Sequence, residues 1–393
     1  MAKAGSGISA DADPITAARA AAEVALASTA VDRADAALLF MNADHGSSAT
    51  EVVDVATQVL GVAPVGATAA GVLVAGQALE SGPGVAILAL AGIESETFLL
   101  DRVAGNESGA GELLRHAIDA PLRAEDLVVL LPDPYAIAAQ PFLEAIQTEL
   151  GGACLVGAGA VEGAATPPVQ WADSEIATGA VAGVVLRGAR PRVGVTQACQ
   201  PVTEPMQVTR TEGHWILEIE GRPALDVFRE TAREPLASDL RRAAAFVLVA
   251  LPEPGDPQAS LCAGDYRVRN VAGFSENALA VPEPVTTGER IAFVLREPHG
   301  ARDDLKRMLA GFSGQPADFA VFLDCCARGA ALFDVPGLEA AYLEDALGAT
   351  PLVGMMGAYE FGPVRGRTEL LTYTGVLAAA GAAPDATDGS AGS

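Results

Sequence analysis

The feature that most constrains this chain is a unit it uses three times. Residues 36–67 read AALLFMNADHGSSATEVVDVATQVLGVAPVGA, residues 126–158 read DLVVLLPDPYAIAAQPFLEAIQTELGGACLVGA, and residues 318–355 read DFAVFLDCCARGAALFDVPGLEAAYLEDALGATPLVGM. Each is an apolar run, a polar or glycine-bearing loop, an amphipathic stretch, then Leu-Gly and a second short apolar run ending in Val-Gly. The Leu-Gly pairs fall at Leu60-Gly61, Leu150-Gly151 and Leu347-Gly348, and the Val-Gly pairs at Val65-Gly66, Val156-Gly157 and Val353-Gly354. A repeated supersecondary unit implies a duplicated scaffold, and function on such scaffolds concentrates in the loops. The expected fold class is therefore α/β, a duplicated mixed-sheet architecture of strand–loop–helix–strand units.

Hydrophobic periodicity places the elements. Val52, Val55, Val59 and Leu60 recur at helical spacing in the first unit, as do Phe142, Ile146 and Leu150 in the second. A helix is expected over 14–30, strands near 36–41, 63–67, 84–91, 127–131, 154–158 and 179–187, and a loop or hairpin over 160–177. Helix 337–347 is expected to gather Leu338, Ala341, Tyr342, Asp345 and Ala346 near one face. RGARPR at 187–192 separates two halves. The second half opens with an antiparallel hairpin around 212–221, runs through a β-rich stretch at 246–295 that contains LPEPGDPQAS, and closes with a strand at 370–379. Three regions follow: 14–190, 191–380 and a small, polar, disordered tail at 381–393.

Composition narrows the function. The net charge is −25, which argues against nucleic acid and anionic membrane partners, because both need clustered Lys and Arg. Residues 55–79 carry no charge and are long enough to span a bilayer. Their regularly spaced glycines suit short buried strands instead, so no membrane insertion is expected. The cysteines, Cys154, Cys199, Cys262, Cys325 and Cys326, are odd in number and lack a disulfide framework or zinc spacing, which suits reduced thiols in a cytoplasm. MAKAGSGISADADP lacks the apolar run of a signal peptide.

In open α/β sheets, ligands gather at loops beyond the carboxyl ends of strands. Three loops qualify: NADHGSS at 42–48, PDPY at 132–135 and DCCARG at 324–329. Arg328 offers a planar fork suited to a carboxylate, and a cation beside Cys325 would lower that thiol's pKa. Arg328 in an internal ion pair and Arg328 on a ligand are both open readings. His45, Ser47 and Asp44 invite a hydrolase reading, but no G-x-S-x-G elbow is present, and Ser48 with Glu51 reads as a helix-capping box. Glu360 sits in the tight turn YEFGP, where it could take an ammonium group. His45, His116, His214 and His299 are scattered, with no metal spacing.

At this point a family resemblance comes into view. PVGATAAGVLVAGQALESGPGVAILAL, VTRTEGHWILEIEGRPALDVFRE, DYRVRNVAGFSENALAVPEPVTTGERIAFVLR, DCCARGAALF and PLVGMMGAYEFGPVRGRTELLTYTGVL resemble stretches of FIST-domain proteins, with an N-terminal and a C-terminal FIST region. The likeness spans about residues 15–380. It implies an intracellular bacterial sensor of small ligands such as amino acids. No output module lies outside the body of the chain, so a separate signalling partner is implied. It also implies an alternative, a haem-binding nitric oxide sensor, although no cofactor is expected here. An enzyme using the His45/Ser47 loop or the Cys325 thiol is a further alternative, and no enzymatic activity is expected. The ligand set expected is Arg328 and Arg269 toward a carboxylate, Glu360 toward an ammonium, and Cys325 and Cys199 lining the pocket. The family places a small residue before the turn glutamate, where this chain has Tyr359.

Overall fold

The computed structural model describes residues 2–252 and 266–381. Most of the expected tail, most of LPEPGDPQAS, and Cys262 lie outside the described residues. Packing divides the chain into two compact units. The first comprises Met1–Val195, Met308–Leu370 and Gly375–Ser393, and the second comprises Thr196–Arg307 and Leu371–Thr374. The chain leaves the first unit after Val195 and returns to it at Met308.

The first unit is α/β, and the repeat in it is longer than the sequence unit. Each module runs outer strand, helix, first strand, helix, second strand, hairpin, return strand. In the first module these are Lys3–Ser9, Pro14–Thr29, Ala36–Asn42, Ala49–Leu60, Val65–Ala69, the hairpin Gly71–Val74/Gln77–Leu79, and Val85–Ala91. In the second they are Ser95–Leu100, Ala110–Ala117, Leu127–Pro132, Ala139–Gln147, Cys154–Ala158, Gln170–Ala172/Glu175–Ala177 and Val181–Leu186. In the third, whose first helix falls mostly within the second unit, they are Arg192–Gln197, Pro298–Ala310, Phe319–Cys325, Leu338–Leu347, Leu352–Gly357, Glu360–Val364/Arg367–Leu371 and Thr374–Ala380. Nearly all of the second unit is inserted, in chain order, between the outer strand and the first helix of the third module.

Within each module the first and second strands are parallel, and the return strand runs antiparallel to the first. The helical crossover forces the parallel pair, because a short turn cannot join parallel strands. These strands are buried on both faces, which is why they read as continuous apolar runs without alternation. The hairpins do not complete their own sheets. The hairpin of module one pairs with the second strand of module three, that of module three with module two, and that of module two with module one. The exchange closes into a ring.

The Val-Gly signature explains itself in this ring. Gly66 lies opposite Trp171, Gly157 opposite Phe361, and Gly354 opposite Leu73, each partner belonging to an incoming hairpin. A Cβ on Gly66 would come within 1.7 Å of the Leu39 carbonyl oxygen and 2.8 Å of Trp171. A Cβ on Gly157 would meet the Leu130 carbonyl oxygen at 2.4 Å and Phe361 at 2.8 Å. The glycines are the floors on which the exchanged side chains rest. The Leu-Gly signature has another cause: Gly61, Gly151 and Gly348 all carry positive φ as the chain turns out of a helix.

Several sequence expectations are refined. Residues 160–177 hold a hairpin whose turn places both Asp173 and Ser174 at positive φ, the geometry of a type I′ turn. Ser48 does occupy the N-cap position of its helix but makes no side-chain capping bond, because residues 43–48 form a turn of 3-10 helix that delivers the chain directly into the α-helix. The helix Leu338–Leu347 buries Glu339, Ala340, Leu343 and Leu347, not the face expected. The polar Glu339 on the inner face misled the periodicity. The strand Lys3–Ser9, the strand Ser95–Leu100 and the helix Ala110–Ala117 were not anticipated; Gly5 and Gly7 allow the alanine-rich first helix to lie directly on the first of these.

The second unit is built on an antiparallel sheet, with Val247–Pro252 and Arg290–Arg296 at its centre and Met206–Glu212/Trp215–Ile219 as the expected hairpin. Phe228 of the helix Ala224–Ala232 packs against Phe274 and Phe293 at centroid distances of 5.2 and 5.5 Å.

If the glycines are seats for exchanged hairpins, adding one methyl group should be costly. Gly66→Ala and Gly157→Ala should each lower stability by about 1–3 kcal/mol through overpacking. Thermal unfolding monitored by circular dichroism checks this, with Gly82→Ala as a control, because Gly82 has open space beside it and tests only the cost of its left-handed backbone.

Candidate functional site

The three loops beyond the first strands open on one side of the first unit. The segment after Ala158 brings them together. Ala160 N donates to Pro132 O at 2.9 Å, Val161 N to Thr68 O at 2.9 Å, and Gly159 N to Tyr359 O at 2.9 Å, so one short stretch touches all three modules. Thr68 Oγ1 returns a bond to Val161 O at 2.7 Å. Strand ends that diverge elsewhere converge here.

The DCCARG loop lies at the centre of this region. Asp324 ends the strand Phe319–Cys325, and Arg328 follows a turn closed by Arg328 N donating to Cys325 O at 2.9 Å. The Arg328 guanidinium is buried, with Nε 2.8 Å from Asp324 Oδ1 and Nη2 2.6 Å from Glu339 Oε1. Glu339 Oε2 accepts from Gly329 N at 3.0 Å, so one carboxylate fixes both the cation and the turn. Phe333 covers the guanidinium at 5.8 Å. Nη1 has no hydrogen-bond partner. Of the two readings left open for Arg328, the internal ion pair is present, with one donor remaining.

Burial first, then the charge of Glu339, holds the Asp324 carboxyl well above the ordinary range; Glu360 pushes the same way and Arg328 opposes. One guanidinium cannot neutralise several enclosed carboxylates, so the protonated form of Asp324 is favoured relative to an exposed aspartate. Arg328 is pushed upward by Glu339 and Asp324, against its burial.

Cys325 is buried and Cys326 exposed. A hydrogen bond from Cys325 draws the Cys326 thiol below its ordinary value, with burial opposing. Tyr135 stands 63% exposed beside Glu162 and Cys326, so the PDPY loop and the DCCARG loop share an outer rim. Beneath the rim, Tyr359 packs at a tilt against Phe361 with ring centroids 5.3 Å apart and lies over Gly159, whose missing side chain makes room for the ring. Its hydroxyl is buried without a partner, and burial pushes its pKa up. Glu360 is fully buried next to it.

The neighbouring module contributes further buried polar groups. Asn42 Nδ2 donates to Gly82 O at 2.6 Å, while its Oδ1 has no partner. The Gln170 amide is fully buried with neither atom hydrogen-bonded, and His45 Nε2 is likewise without a partner. Burial lowers the His45 pKa, opposed by the Asp11 backbone and by Asp44 and Asp13, so the ring is neutral. Glu80 reaches across to the third module, accepting from Gly337 N at 2.7 Å.

The structure therefore brings together Arg328, Cys325 and Glu360. Arg269 and Cys199 belong to the second unit and are held by partners there: Arg269 Nε lies 2.6 Å from Glu283 Oε2, and Cys199 O accepts from Tyr266 OH at 2.6 Å. Sequence reasoning missed Asp324, Glu339 and Glu80. The signal that could have found Glu339 was a carboxylate eleven residues after Arg328 on a helix otherwise apolar on that face.

A ring of α/β modules whose loops converge on buried polar groups defines a binding scaffold. The chain belongs to the FIST family: residues 35–222 match the FIST N domain and residues 224–363 the FIST C domain. It is 32% identical over 358 residues to an uncharacterized protein of Mycobacterium tuberculosis, covering 87% of this chain and 90% of the relative. An uncharacterized protein of Mycobacterium bovis is 32% identical over 352 residues, covering 87% and 89%. FIST domains are associated with signal transduction and small-ligand sensing. Among the described residues, no helix is long and apolar enough to cross a membrane, and no group of three or more His, Cys, Asp or Glu side chains could hold a metal.

Two outcomes are expected. Arg328→Ala leaves enclosed carboxylates without their cation and should cost roughly 3–5 kcal/mol in urea unfolding. Asp324 titrates higher in the folded chain than its unfolded value near 3.9. Its contribution to stability is therefore greatest at low pH and falls as pH rises above about 4. Asp324→Asn removes that slope and should raise the melting temperature at pH 7, read from melts across pH 4–8.

Proposed function

We propose that the first unit senses a small zwitterionic ligand such as an amino acid and acts on a separate signalling protein in the cytoplasm, without chemistry of its own and without a resident cofactor. The observation that carries this reading is the set of buried polar atoms lacking hydrogen-bond partners at the converging loop ends: Arg328 Nη1, the Tyr359 hydroxyl, His45 Nε2 and the Gln170 amide. Such atoms are rare in folded proteins and cost about 1–3 kcal/mol each, so a cluster of them marks a place where a polar ligand gains most by binding. In this reading Arg328 Nη1 donates to the ligand carboxylate and Glu360 receives the ammonium. Tyr359 and Cys325 line the site, and Cys326, Tyr135 and Glu162 form its rim. Entry requires the rim to open, because the inner groups are enclosed.

The haem alternative fits the residues poorly. His116, His214 and His299 are exposed on the surface, and His45 sits among aspartates, not in an apolar slot. A haem titration that gives no Soret band is the expected result. The enzyme alternative would use the His45/Ser47 loop or the Cys325 thiol, which is buried beside the exposed Cys326, and native protein left unlabelled by iodoacetamide and fluorophosphonate probes would count against it.

The direct test is a thermal-shift screen of the full chain against amino acids, because a ligand that binds only the folded state raises the melting temperature. A shift with one class of amino acid is expected. Tyr359→Phe and Glu360→Gln, which preserve volume, should weaken it while the unliganded protein stays folded, Tyr359→Phe melting no lower than the parent because it removes a buried hydroxyl without a partner. A flat screen, or shifts unaltered in both variants, removes the site.

A further inference from the structure

The second unit carries a cavity that the loop site does not use. It is a half-open cleft of about 670 Å³, within the range that accommodates a drug-sized ligand. The hairpin strand Met206–Glu212, the helix Ala224–Ala232 and the strands Val247–Pro252 and Arg290–Arg296 supply the walls through Met206, Val227, Val247 and Leu295. Val202 forms part of the mouth and stands 49% exposed, so apolar surface continues from the cavity to solvent.

The charges at the mouth are not balanced. Arg222 and Glu230 close a forked ion pair, with Arg222 Nη1 3.0 Å from Glu230 Oε2, so these two cancel. Arg233 also lines the cavity; it is exposed, and its side chain has no hydrogen bond or ion pair among the described residues. Glu234 does not line the cavity; Arg233 also borders the neighbouring recess, with Arg229, Glu230 and Glu234. The backbone at Arg233 is left-handed, with φ 57°, and its N–H donates to Arg229 O at 3.0 Å as the chain leaves the helix. In a chain of net charge −25, a cation left over beside an apolar cavity is not a by-product of excess positive charge.

We propose that the second unit binds a medium-chain carboxylate, with the hydrocarbon against Met206, Val227, Val247 and Leu295 and the carboxylate on Arg233. Apolar walls reward a chain in proportion to the area it buries, and the guanidinium at their edge favours an anionic head over a neutral one. The site is independent of the loop site, and either can fail alone.

Isothermal titration of the full-length chain with decanoate and with decanol tests this, both below their aggregation limits. One decanoate per chain is expected, bound about tenfold more tightly than decanol, the discrimination of one charge-assisted pair. Arg233→Gln should lose that tenfold for decanoate and leave decanol unchanged. Val202→Trp narrows the mouth from a half-exposed position without touching the core, and should abolish both. No binding of decanoate, equal affinity for decanol, or unchanged decanoate affinity in Arg233→Gln would each overturn the assignment.

Discussion

The constraint on which the first unit depends is the exchange of hairpins around a ring. No module completes its own sheet, because the strand that covers the edge of each second strand comes from another module. An uncovered edge strand presents unpaired backbone groups and invites association. The ring removes that exposure by using each module's hairpin to cover its neighbour. Three glycines at one register position make this possible by letting Trp171, Phe361 and Leu73 lie flat on the strands they join.

The same ring sets the candidate site. Because each hairpin leaves its module at the end of the second strand, all three crossings occur on the side where the first strands end. The loops converge there whatever their sequences, and the three sequences have diverged: NADHGSS packs a neutral histidine, PDPY presents an exposed tyrosine, and DCCARG encloses a guanidinium. The third loop also concentrates buried charge, since Arg328 faces Asp324 and Glu339 with all three side chains buried. Burial and the neighbouring carboxylates raise the Asp324 pKa, which lowers the cost of keeping such a cluster buried.

The second unit shows how an insertion is accommodated. It departs from the end of one strand and returns through the helix Pro298–Ala310, leaving the order of elements in the third module unchanged. That interruption hid the full module. The three strand–loop–helix–strand units were readable because each is local, whereas the outer strand of the third module lies more than a hundred residues from the strand Phe319–Cys325.

What the sequence determined by itself was local: apolar runs that must be buried on both faces, helices with a period of 3.6, and glycines whose recurrence demanded a common cause. It placed Arg328, Cys325 and Glu360 at loop positions, and the FIST likeness extended over nearly the whole chain. Glu339 was invisible as a site residue because a single carboxylate on a helix reads as solvated until its partner is known. Only the tertiary structure decided that Arg328 pairs with it, that Arg269 and Cys199 belong to another unit, and that three loops face one way. The physical reason is that pairing register and charge burial are properties of segments far apart in the chain, joined by hydrogen bonds whose partners no local pattern encodes.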